Sequence, residues 1–271
     1  MKSFKQKYGD WALILGAAEG LGAAFAKEIA HKGLNLVLVD VQKSKLNSLS
    51  EELSSIYKIK VENRIVDLAQ ENQVRFLIEE LVDFDIGLVI YNATFSPIKE
   101  FTDVDLSDHE KLIQINLKST LLITDYFSKR MKEQGEGGIL LMSSMSGLQG
   151  TAMVAHYAAS KAYLMVLAEG LWYELKDYGV DVLACIAGAT GTQNYYDTKP
   201  NRKGLIIPPI MTPEDVARQS LNKLGKQPSY IPGFWNRFAV WFSKLLFGRK
   251  TSTILVSENL VRMYGNKKAT H

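Results

Sequence analysis

Tyr157 and Lys161 stand four residues apart in the run SSMSGLQGTAMVAHYAASK, which begins at Ser143 and carries Ser144 ahead of both. A phenol and an ammonium at i and i+4 share one face of a helix. The ammonium favours the phenolate, so the spacing predicts a tyrosine pKa falling from about 10 toward working pH. A tyrosine tuned in that way can give or take a proton at an alcohol or carbonyl oxygen. A serine hydroxyl brought to the same place can hold that oxygen. Tyr and Lys are common, and such a pair often only decorates a helix. The weight of this one comes from the elements around it.

Those elements alternate. Trp11 to Leu15 reads as a buried strand, Gly20 to Lys32 as a helix, and Asn35 to Asp40 as the next strand. Lys43 to Tyr57 is a polar helix, Lys60 to Val66 a strand, residues 71 to 82 helical, and Ile86 to Tyr91 a strand. Asp108 to Arg130 reads as a long helix, Gly138 to Met142 as a strand, 155 to 177 as a second long helix, and Val180 to Ala187 as a further strand. Apolar strands alternating with helices predict βαβ units and an α/β fold: a doubly wound parallel sheet, Rossmann-type, with helices on both faces. No linker, repeat or low-complexity tract divides the 271 residues, so 1–271 reads as a single domain. After Gly188 the pattern degrades, and Gly191 to Pro213 reads as a long loop or lid.

The first strand and first helix are joined by Gly16-Ala-Ala-Glu19-Gly20-Leu21-Gly22. Glycines at such a turn let a pyrophosphate approach the backbone, and the helix N-terminus offers free N–H groups and partial positive charge. Asp40 ends the second strand, where a carboxylate accepts hydrogen bonds from both hydroxyls of an adenosine ribose and repels a 2′-phosphate. Glu19 adds negative charge nearby, while Lys43 and Lys45 oppose it. On that charge logic NAD(H) is the preferred cofactor over NADP(H).

Composition excludes other chemistries. The net charge of +3 comes from scattered Lys and Arg, which gives no case for a nucleic-acid partner. Cys185 is the single cysteine and the four histidines lack metal-binding spacing, so neither a disulfide nor a metal site is expected. Cys185 reads as a small buried hydrophobe, and His156 as a pocket wall or dimer contact. The opening MKSFKQKYGDWALILG has no signal-peptide character, and no stretch of about 20 apolar residues occurs. A cytoplasmic protein is expected.

The glycine turn, Asn92-Ala93, Asn116, Ser144, and Tyr157 with Lys161 occur in the order of the short-chain dehydrogenase/reductase family. The resemblance covers about residues 8 to 195, and YGDWALILGAAEGLG and FWNRFAVWF resemble bacterial members near the β-ketoacyl and hydroxysteroid groups. It implies a seven-stranded Rossmann-type sheet and hydride transfer between NAD(P) and an alcohol or ketone. Tyr157 would be the proton donor, Ser144 the carbonyl polariser, and Lys161 the tyrosinate stabiliser that also holds the nicotinamide ribose. Asn116 would hold a water joining Lys161 to bulk solvent. Asp67 and Leu68 would flank the adenine, and Asn92 and Ala93 would line the adenosine ribose. The nicotinamide would lie against Ile186 to Thr192, with Gly188 giving backbone access beside Thr190, and Thr192 bonding the carboxamide. The family pattern is broken at Leu15, where a Thr is usual, at Tyr91 and Thr94, where an Asn and a Gly are usual, and at Ala187, which replaces a Pro. A homodimer or homotetramer is implied.

Phe234, Phe238, Trp241, Phe242, Leu245 and Leu246 share a helical face within 233–248, with Arg237 and Lys244 off it. Two readings stay open. In one, which we prefer, the helix closes a pocket for a hydrophobic substrate or packs on a second subunit. In the other it lies on lipid as a peripheral contact. The function expected is an NAD(P)-dependent oxidoreductase acting on a hydrophobic alcohol or ketone. The alternative is a catalytically vestigial regulator or scaffold on the same fold.

Overall fold

The computed structural model describes residues 3–203 and 207–265. Seven strands form one sheet: β1 (Trp11–Leu15), β2 (Asn35–Asp40), β3 (Val61–Ile65), β4 (Ile86–Tyr91), β5 (Gly137–Ser144), β6 (Val180–Ala187) and β7 (Ser229–Tyr230). Their order is β3-β2-β1-β4-β5-β6-β7, and every pairing is parallel. The helices are α1 (Phe4–Tyr8), α2 (Gly20–His31), α3 (Lys43–Tyr57), α4 (Glu71–Glu80), α5 (Leu106–Ile113), α6 (Thr120–Gln134) and α7 (Ala155–Leu175). They continue as α8 (Gln193–Asp197), α9 (Pro213–Leu221), α10 (Phe234–Leu246) and α11 (Arg249–Tyr264). The expected Rossmann-type α/β fold is present.

Strand residues alternate between the two faces of the sheet, as period 2 demands. Ile14, Leu38, Ile90, Leu140 and Cys185 face α2, α3 and α9. Leu13, Leu15, Val39, Tyr91, Leu141 and Ala184 face α4, α6 and α7. Both faces are covered, which is why the strands read as continuous apolar runs. The chain winds one way from β1 to β3 and the other way from β4, so the carboxyl ends of β1 and β4 flank a crevice at the switch point.

Two segments have a different course from the one expected from the sequence. The long helix expected from Asp108 to Arg130 is α5 and α6 joined through a π-helical segment, Gln114–Ser119. The Tyr91 hydroxyl donates to the Ile115 carbonyl at 2.6 Å, and the Thr120 hydroxyl donates to the Asn116 carbonyl at 2.9 Å. These bonds satisfy carbonyls at the place where the i→i−4 ladder is interrupted. Apolar periodicity survives such an insertion, so the sequence showed one helix. Beyond Gly188 the segment read as a loop contains α8, capped by the Thr192 side chain, and it is followed by α9, β7, α10 and α11.

The aromatic helix exists, but its face points the other way from the pocket-closing reading. Phe234, Trp235, Phe238, Trp241, Phe242, Leu245 and Leu246 are all exposed, Trp241 at 59% and Leu245 at 65%. Asn236 is the buried residue of α10, and Ala239, Val240 and Ser243 are partly covered. The aromatic face is therefore left uncovered by the described residues of this chain. No described helix is long and apolar enough to cross a membrane.

Candidate active site

The first strand delivers the chain to a turn that only glycines fit. Gly16 has φ +76, and a Cβ there would lie 2.7 Å from the Ala93 backbone. A Cβ on Gly22 would lie 1.9 Å from the Gly16 carbonyl oxygen. The turn is thus packed on itself, while the first turn of α2 has no side-chain cap. N–H groups at a helix start without a side-chain cap can receive an anion. Leu21 follows Gly20 in that first turn and packs against the α2–α3 core.

Asp40 sits across from the turn. Its carboxylate accepts from the Ala18 N–H and the Gln42 N–H, both at 3.0 Å, which fixes it at the end of β2. Glu19 accepts from Gln42 Nε2 at 3.1 Å and pairs with Lys45 at 2.5 Å. The Lys45 bond lowers the Glu19 pKa, and it also cancels most of the charge Glu19 was expected to add. Asp67 Oδ1 caps the Ala69 N–H at 2.9 Å, and the Leu68 carbonyl accepts from Ser119 at 2.8 Å. Asn92 Nδ2 donates to the Gly16 carbonyl at 2.8 Å, tying the end of β4 to the glycine turn. Glycine turn, uncapped helix start and fixed carboxylate together fit a dinucleotide.

Ser144 ends β5, and its hydroxyl accepts from the Ser146 N–H at 3.2 Å. Tyr157 and Lys161 come from α7, which lies against β5 and β6. Ser143, which the sequence reading passed over, donates to the Lys161 carbonyl at 2.7 Å. A Cβ on Gly147 would come within 2.7 Å of the Ala162 backbone, so the loop after β5 needs glycine to let α7 in. Lys161 is 2% exposed, donates from Nζ to the Met142 carbonyl at 2.8 Å, and lies 5.4 Å from the centre of the Tyr157 ring.

The expected fall of the tyrosine pKa is not what this geometry produces. Burial raises the Tyr157 pKa, and the bond to the Ser144 hydroxyl opposes it. Burial also pushes Lys161 down to about 7. The sequence reading counted the attraction between the two charges and left out the loss of water around both.

Asn116 lies in the π-helical segment and is fully buried. Its Oδ1 accepts from the Phe95 N–H at 2.8 Å and from Thr94 at 3.3 Å, and its Nδ2 faces the Phe95 carbonyl at 3.0 Å and Ser160 Oγ at 3.1 Å. The amide is thus spent on the strand exit and on α7, and it makes no bond to Lys161. Two of the positions that break the family pattern, Tyr91 and Thr94, both bond this segment.

The loop after β6 completes the site. The Thr190 hydroxyl donates to the Gly188 carbonyl at 3.1 Å. Thr192 Oγ1 accepts from the Tyr195 N–H at 3.1 Å, and its methyl would lie 2.9 Å from a Cβ on Gly20. The loop therefore reaches back to the glycine turn. Ala187, in place of a Pro, pairs with Ser144 at the strand ends. Asn236, from the start of α10, packs on Gly188. It was also missed, although it is the one uncharged polar residue in the run FWNRF. A small cavity beside Tyr157 is lined by Pro97, Phe101, Leu112, Met153, Val154 and the His109–His156 pair. The two Nδ1 atoms are 2.8 Å apart, and His156 lines this cavity.

The family model described as short chain dehydrogenase matches residues 10–203. The chain belongs to this family. It is 32% identical to a 7β-hydroxysteroid dehydrogenase of Clostridium sardiniense over 87% of this chain and 90% of that protein. It is 34% identical to a very-long-chain 3-oxoacyl-CoA reductase of Neurospora crassa over 89% of this chain and 72% of that protein. A solved structure from work on 7β-hydroxysteroid dehydrogenase stereoselectivity superposes with a TM-score of 0.89 at 28% identity, covering 94% of this chain and 99% of that one. A short-chain dehydrogenase from Sphingobium yanoikuyae in complex with NADPH superposes with a TM-score of 0.77 at 26% identity, over 87% and 94%. This chain is thus a short-chain oxidoreductase, of a family that acts on CH–OH groups with NAD(P).

Proposed function

We propose that this short-chain oxidoreductase interconverts a bulky apolar ketone and its secondary alcohol, with Tyr157 as proton donor. The observation that carries this is the convergence of Ser144 and Tyr157 with a buried Lys161, at the carboxyl end of β5 and beside the Gly188 loop. The bound cofactor supplies or takes the hydride. In the reducing direction the Tyr157 hydroxyl gives its proton to the carbonyl oxygen, and the Ser144 hydroxyl donates a hydrogen bond to that oxygen as charge develops. Lys161 then stabilises the tyrosinate left behind and holds the nicotinamide ribose. Asn116 is a positioning residue, since it ties α7 through Ser160 to the end of β4.

The names of the relatives, a 7β-hydroxysteroid dehydrogenase and a very-long-chain 3-oxoacyl-CoA reductase, support a bulky hydrophobic substrate, with the hydroxysteroid class first. Gly16, Gly20, Leu21 and Gly22 would cradle the pyrophosphate, Asp40 the adenosine ribose, Asp67 and Leu68 the adenine, and Asn92 and Ala93 the ribose edge. Gly188, Thr190 and Thr192 would face the nicotinamide. NAD(H) is the preferred cofactor because Asp40 is fixed at the ribose end, although Glu19 no longer counts fully toward it. A homodimer or homotetramer forming through α6 and α7 belongs to the same reading, since Leu121, Val166 and Tyr173 are exposed there.

Turnover of a panel of ketosteroids and small ketones with NADH and NADPH tests the proposal. Reduction abolished by Tyr157→Phe supports it. Cofactor binding without turnover of any ketone or alcohol would instead favour the regulator or scaffold.

A further inference from the structure

We infer that α10 docks this protein on an anionic lipid surface. Its outward face presents seven large apolar side chains within thirteen residues, among them Trp235 and Trp241, while the opposite face is held to the protein through Asn236. Tryptophan suits the boundary between water and hydrocarbon, where one end of the indole is apolar and the other wet.

Charge selects the occupant. From Val216 to Ser257 the chain carries seven Lys and Arg and no Asp or Glu, whereas the remainder of the protein is net −4. Arg237, Lys244, Arg249 and Lys250 are exposed on or beside α10. A second copy of the chain meeting this face about a two-fold axis would set the same basic cluster against itself. An anionic bilayer meets both features at once: the aromatics enter the acyl boundary and the bases lie among the headgroups.

The helix is also fastened to the site. Asn236 packs on Gly188, and α11, which follows it, accepts the Ala152 N–H at Ser257 Oγ, 3.1 Å away. Docking through α10 therefore holds the nicotinamide loop and the Gly150 loop at a constant position relative to the lipid surface.

Co-sedimentation of the full chain with phosphatidylglycerol/phosphatidylcholine vesicles tests this. Retention is expected at low salt, with release by high salt and weak retention on phosphatidylcholine alone. Trp241→Glu should lower retention at least about tenfold, and Lys244→Glu by a smaller factor. Both side chains are exposed, so the melting temperature should hold, and blue-shifted tryptophan fluorescence on vesicle addition should shrink in Trp241→Glu. Failure of wild type to bind anionic vesicles would overturn the inference, as would salt-independent binding to neutral ones. So would a change in the oligomeric state of the lipid-free protein in Trp241→Glu, which would mean that a second copy covers the face. None of these readouts depends on turnover, so they stand or fall apart from the proposed reaction.

Discussion

Asn236 occupies the space that a side chain at Gly188 would need: a Cβ there would stand 2.7 Å from Asn236 Nδ2 and 2.9 Å from Oδ1. The same Nδ2 donates to the Pro232 carbonyl at 2.8 Å, so the contact joins the loop after β6 to the start of α10. Gly188→Ala should therefore lower the melting temperature and weaken cofactor binding together. Asn236→Ala alone should cost about 1–3 kcal/mol by leaving buried polar groups unpaired. The double variant should cost less than the sum, because removing the amide makes room for the methyl. Strict additivity in urea unfolding would show that the two residues are not coupled.

Tyr157→Phe keeps the ring over Lys161 and removes only the hydroxyl. Turnover should fall by at least about a hundredfold, in line with general acid catalysis, while NADH titration by fluorescence should give unchanged affinity. Near-normal turnover in this variant would remove Tyr157 from its assigned role.

Tyr91→Phe should destabilise the chain by about 1–3 kcal/mol, since it strips a donor from the Ile115 carbonyl in the π-helical segment. Burial raises the Tyr91 pKa, so the hydroxyl is a proton donor at any ordinary pH. A loss of stability without a matching rise in KM is expected from chemical unfolding and kinetics together. If the unfolding midpoint does not move, the hydrogen bond carries no net stability.

Lys161 makes stability depend on pH in a defined window. Its folded pKa is pushed down to about 7 from the ordinary 10.5. Between those values the unfolded chain binds the proton and the folded chain does not, so stability rises with pH across the window. The full burial penalty is present below about pH 7. Relative to Lys161→Met, the wild-type chain without cofactor should gain stability as pH rises from about 7 toward 10.5, on the order of several kcal/mol. A flat difference between the two unfolding curves would mean that the lysine stays charged when folded.

Asp40→Ala should narrow the gap between NADH and NADPH by removing the charge that repels a 2′-phosphate. Lys45 is already paired with Glu19, so it is not free to compensate. Tighter binding of NADPH than NADH by the wild-type protein would overturn the preference.

The strand–helix alternation, the glycine turn and the order Asn116, Ser144, Tyr157, Lys161 are local patterns, and they were legible in the residues themselves. Period 2 and period 3.6 follow from backbone geometry, and a glycine turn before a helix advertises its own backbone. Those features carried the family and the sheet, and they named the candidate reacting side chains.

Three other matters were decided only by the assembled chain. The pKa directions of Tyr157 and Lys161 follow from desolvation, which depends on everything packed around them, while i,i+4 spacing shows only the pair. The roles of Tyr91, Thr94, Ser143 and Asn236 depend on contacts between segments far apart in sequence, such as Asn236 with Gly188. The orientation of α10 was open because an amphipathic helix has one apolar face whether it turns inward or outward. The buried Asn236 and its bond to Pro232 fix which side meets the protein, and they leave the aromatic side to solvent.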